Sequence, residues 1–82
     1  MNPVERYLRG LGSPVCTIAC CGPALEISYA TILQRLKNNP DLTRPDTFLA
    51  GGKQMMMVDD AIAWCEQHQI EWAALQAAKG RG

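Results

Sequence analysis

Residues 21–36 read CGPALEISYATILQRL, and this stretch decides how the rest of the chain is placed. Gly22 offers a position without a side chain, where a second helix can cross closely. Leu25 and Ile27 put apolar side chains on either side of a turn, and Glu26 stands where such a turn commonly has glycine. Ser28 carries a hydroxyl able to accept from a backbone N–H of the first turn, so a helix is expected to start there. Ile32 and Leu36 lie four residues apart and so share a buried stripe. Ser28, Tyr29, Ala30, Leu33 and Gln34 are left facing outward. These are the requirements of a helix-turn-helix, whose second helix is presented to the DNA major groove. Pro23 falls inside the expected first helix and predicts a kink there. A second register ends that helix at Gly22 and runs one long helix from Pro23, which shifts the exposed face. An ordinary amphipathic helix in a small bundle also fits the pattern.

On the N-terminal side, Asn2-Pro3 with Glu5 is a helix-start signal, and the helix should stop at Gly10 to Gly12. Ser13-Pro14 repeats the signal and predicts a second short helix over residues 14–21. After residue 38, Asn39 and Pro40 end the central helix, and residues 41–45 form a loop. Residues 47–50 and 54–58 are strand candidates around Gly51-Gly52, a pair that accepts positive φ and closes a tight hairpin. The Met55-Met56-Met57 run is expected in the core. Asp59 or Asp60 should cap a last helix that either continues or breaks near Gln69 and resumes through Trp72 and Leu75, with residues 79–82 frayed. The expected order is helix, helix, helix, hairpin, helix. The fold class is mainly α with a small β-hairpin: a helix-turn-helix with a wing and a C-terminal helix. One domain spans residues 1–82, with a helical core over 1–38, a hairpin wing over 46–58 and a C-terminal helix over 59–78.

A chain of 82 residues is one domain with a modest core, and dimerisation would add apolar burial. The net charge is zero, which taken alone argues against a nucleic-acid partner. Its distribution argues otherwise. Residues 28–57 hold Arg35, Lys37, Arg44 and Lys53 against Asp41 and Asp46, a net of +2. Residues 58–71 hold Asp59, Asp60, Glu66 and Glu71 and no Lys or Arg, a net of −4. One surface suited to DNA and another suited to protein would look like this, and so would plain solvated helix faces. Three of the four cysteines crowd into residues 16–21, unlike a spread disulfide framework. Cys16, Cys20, Cys21 and Cys65 therefore read as reduced near-core residues of a cytoplasmic protein. Residues 10–27 follow Arg6 and Arg9 and are fairly apolar, but Gly12, Ser13, Pro14, Gly22 and Pro23 interrupt them, against a signal peptide. No stretch approaches a membrane span.

Residues 27–36 (ISYATILQRL), 42–45 (LTRP), 51–53 (GGK) and 58–64 (VDDAIAW) together resemble the small helix-turn-helix and winged-helix DNA-binding proteins of phages and plasmids. That group includes transcriptional repressors, excisionase-like regulators and terminase small-subunit domains. The segments that carry the resemblance lie within residues 27–64, a span of about half the chain, and imply a sequence-specific duplex-DNA binder, most simply a dimeric repressor on a palindromic operator. Gln34 is suited to adenine, and Ser28, Tyr29 and Thr31 to bases or phosphates. Arg35, Lys37, Arg44 and the hairpin's Lys53 are the expected phosphate contacts. Trp72 and Leu75, among small alanines, are the expected dimer contacts.

Other functions lack parts. Cys65 and His68 are three apart on a helix, yet no phosphate loop, triad or oxyanion site accompanies them, so no enzyme and no small-molecule substrate is expected. Cys16, Cys20, Cys65 and His68 have poor spacing for zinc, and no metal or cofactor is expected. A protein-interaction module built on the last helix is the remaining alternative, alongside an excisionase-like architectural role.

Overall fold

The computed structural model describes residues 2–80. Helix α1 (Pro3–Arg9) begins as its sequence dictates: Asn2 caps it by accepting from the Glu5 N–H at 2.8 Å, and proline occupies the first turn, where no N–H is needed. Val4 and Leu8 point inward.

The next element corrects an expectation. Residues 14–21 are not a helix. They open as strand β1 (Val15–Thr17), pass through a 3₁₀ turn (Ile18–Cys20) and enter the four-residue helix α2 (Cys21–Ala24). Val15 and Thr17 are β-branched, and β1 gives the far edge of a later strand a partner, so tertiary pairing overrides the Ser13-Pro14 start signal. Helix α3 (Tyr29–Asn38) follows a true turn, which excludes one long helix from Pro23. Pro23 also produces no kink, because it lies in the first turn of α2.

Strands β2 (Phe48–Ala50) and β3 (Lys53–Met57) form the expected hairpin, with Gly51 and Gly52 both at positive φ (59° and 78°). The sheet is three-stranded and antiparallel in the order β1-β3-β2, not a bare hairpin. Cys16 pairs with Met56, and Phe48 with Met55. Alternation then buries Met56 alone: Met55 is half-buried and Met57 exposed, so the methionine run is only partly core.

Helix α4 (Val58–Gly80) starts directly on the end of β3. Asp59 and Asp60 therefore sit in its first turn rather than capping it, where their charge still suits the helix dipole. It runs unbroken past Gln69, and Lys79 and Gly80 remain helical; Arg81 and Gly82 lie outside the described residues. Val58, Ala61, Ile62, Trp64, Cys65 and His68 face inward and close one core with Leu8, Cys21, Ile32, Leu36 and Met56. Among the described residues no helix is long and apolar enough to cross a membrane.

Candidate nucleic-acid interface

The α2–α3 junction is held by backbone geometry. The Ile27 N–H donates to the Gly22 carbonyl at 2.9 Å and the Glu26 N–H to Pro23 at 3.1 Å, the nested pair of bonds that closes a helix on a left-handed residue. That residue is Glu26, with φ 60°, at the place where the sequence lacked its expected glycine. Gly22 is required by contact: a Cβ there would lie 2.9 Å from the Ile27 carbonyl oxygen and 3.1 Å from the Tyr29 nitrogen. Ser28 then caps α3. Its Oγ accepts from the Thr31 N–H at 3.1 Å and shares a 2.8 Å bond with the Thr31 hydroxyl.

With Ile32 and Leu36 buried, α3 turns Tyr29, Ala30, Leu33, Gln34 and Lys37 outward as one continuous stripe. Ser28 lies exposed at its head. Thr31 is half-buried and occupied by the cap. Lys53 stands exposed beside the hairpin turn, paired with Ala50, and Leu49, paired with Gln54, is 75% exposed.

Two of the expected phosphate contacts turn towards their own chain. Arg44 donates to the Leu36 carbonyl at 3.2 Å and so caps the end of α3. Arg35 leaves the outward stripe and lies against α4: its guanidinium carbon is 4.0 Å from the centre of the Trp72 ring, and its Nη1 is 3.3 Å from His68 Nε2. Trp72 and Leu75 are half-buried and pack on the core of their own chain.

Sequence reasoning missed the ladder that receives Arg35. Trp64, His68 and Trp72 stack one helical turn apart, with ring centres separated by 4.9 and 6.3 Å. Their i, i+4, i+8 spacing was visible in the sequence. His68 is buried, and its Nδ1 has no partner among the described residues. An arginine can only donate, so Nε2 accepts and the proton belongs on Nδ1. Burial lowers the His68 pKa below its ordinary value, the Arg35 charge lowers it further, and Glu71 opposes both. Above the ladder, the Trp64 indole donates to the Thr43 carbonyl at 2.9 Å, and the Glu71 carboxylate accepts from the Thr43 hydroxyl and N–H and from Gln67. Those bonds hold Glu71 down at about 2.

The cysteines are free. Cys16 is pushed up to about 11 by burial, and Cys21 is raised by its contact with Cys65 and by burial, so neither thiol is an ionised nucleophile at neutral pH. His68 turns to Arg35, away from any pairing with Cys65. No group of three or more potential metal-binding side chains gathers among the described residues. No family model matches the chain, and neither a curated protein nor a solved structure matches it.

Proposed function

We propose that this chain is a sequence-specific duplex-DNA-binding regulator of winged-helix type, with α3 in the major groove and the β2–β3 hairpin on an adjacent phosphate or in the minor groove. The observation that carries the reading is the outward stripe of α3, presented behind a capped, close-packed turn while Ile32 and Leu36 fix its back face. The element order supports it: a helix, a strand, two helices across a turn, then a hairpin whose second strand pairs with the first. In that layout Gln34 reaches base edges, Ser28 and Tyr29 reach bases or phosphates, and Lys37 and Lys53 neutralise phosphates.

Few cations are available per protomer, so tight binding calls for a dimer on a palindromic site, with the two recognition helices roughly 34 Å apart. Trp72 and Leu75 serve their own chain, so the contact surface is assigned instead to exposed Ala73, Ala74, Ala77 and Ala78 on the end of α4. A repressor role follows the resemblance of residues 27–36 to phage and plasmid regulators. A second reading, a protein-docking module, draws on the exposure of Leu33 (45%) and Leu49 (75%). Selection from a random duplex pool separates the two. Enrichment of a defined motif supports the regulator, and a pool that stays random through every round refutes it.

A further inference from the structure

Arg35 and Lys79 share a groove between α3 and the last turns of α4. The groove encloses about 340 Å³ and is also lined by Thr31, Gln34, Asn38 and Trp72. Helical spacing explains the gathering: Thr31, Arg35 and Asn38 follow one another along one side of α3, and Trp72 and Lys79 lie seven residues apart along α4.

Among the described residues no carboxylate lines this groove. The ion pairs among the described residues both belong to Arg9, so neither Arg35 nor Lys79 has an acidic partner there. Arg35 is half-buried, which makes its charge costly without a counter-ion. Its guanidinium is nevertheless fixed in place by the Trp72 face and by a neutral imidazole, and makes no other hydrogen bond among the described residues. A planar cation held this way has donors left over, and Lys79, Gln34 and Asn38 add more. An anion with several oxygen acceptors satisfies that set, and phosphate does so with charge-assisted bonds.

We propose that this groove is a phosphate seat, with Arg35 and Lys79 as the cationic partners. The phosphate belongs either to a DNA backbone or to a free phosphate ester. Only the first source rests on the regulator reading given above.

The test follows the Arg35 Nε–H and Trp72 indole N–H signals by NMR on the full chain. It is titrated with inorganic phosphate at constant ionic strength and, separately, with a 20-base-pair duplex. Saturable movement of both signals is expected. Lys79→Gln, a change on an exposed helical turn, should weaken that binding by about fivefold. Arg35→Lys should weaken it as well, because a lysine neither stacks nor forks. Movement with phosphate but not with duplex assigns a free ester and keeps the seat; the regulator reading fails only if the duplex also leaves every other signal of the chain unmoved. Movement with duplex assigns a backbone phosphate. If chloride at matched ionic strength reproduces the shifts, or Lys79→Gln leaves affinity unchanged, the seat is wrong. If duplex binds while these two signals stay still in both titrations, the seat is wrong and the regulator reading stands.

Discussion

Gly22 and Ile27 meet backbone to backbone. The Ile27 N–H reaches the Gly22 carbonyl at 2.9 Å, and the Ile27 carbonyl oxygen occupies the space that a Cβ on residue 22 would need. The angle between α2 and α3 depends on this approach. Gly22→Ala should therefore destabilise the fold by about 1–3 kcal/mol, the usual range for overpacking a tight contact. Chemical denaturation checks it, and an unchanged midpoint would show that the turn is looser than its geometry states.

Glu26 is the complementary case. It is exposed and carries a side chain at φ 60°, a conformation that glycine adopts freely. Glu26→Gly should raise stability by about 1 kcal/mol, the order of the left-handed penalty it removes. The same denaturation series reads it, and a loss of stability would mean that the Glu26 side chain makes a contact of its own.

The His68–Arg35 pair predicts a pH response whose sign is fixed. The folded-state pKa of His68 lies below its ordinary 6.5, so the unfolded chain takes up the proton first. Stability is full above about 6.5 and falls as pH drops below it, until the folded pKa is passed. Glu71 acts in a lower window: its stabilising bonds are present above its ordinary 4.5 and are lost as pH falls towards about 2. His68→Phe should keep a ring between the two tryptophans and abolish the upper window while leaving the lower one. Melting temperature against pH is the measurement, and an upper window that persists in His68→Phe would place its origin elsewhere.

The proposed dimer predicts a variant that separates assembly from folding. Ala74 is exposed on the end of α4. Ala74→Arg should leave the melting temperature of the monomer unchanged, convert a dimer to a monomer in sedimentation equilibrium, and weaken operator binding in parallel. A wild-type chain that stays monomeric at high micromolar concentration and still binds tightly would remove the palindrome argument.

The turn between α2 and α3 was legible because its rules are local. Ser28 as cap, Ile32 as anchor and a close approach at Gly22 each follow from one residue and its neighbours in sequence. Strand β1 was not legible: Ser13-Pro14 is a sound helix start, and only the partner Met55–Met57, some forty residues away, makes strand the better choice for Val15–Thr17. Arg35 shows the same limit at the site. Its place in the sequence assigns it to α3 and to phosphate, but whether it points outward or onto Trp72 depends on where α4 crosses. The methionine run was half legible, since strand alternation buries Met56 and leaves Met57 out, and composition alone does not reveal the register.

In the proposed function the outward stripe of α3 reads duplex DNA. The most direct measurement is affinity for a selected duplex as a function of salt, for wild type and Gln34→Ala. Log affinity should fall linearly with log salt, from phosphate contacts. Gln34→Ala should lose about tenfold in discrimination at one base pair, the order of a single bidentate base contact, with the salt slope unchanged. Undetectable duplex binding at low salt, or wild-type discrimination retained in Gln34→Ala, would contradict a reading role for α3.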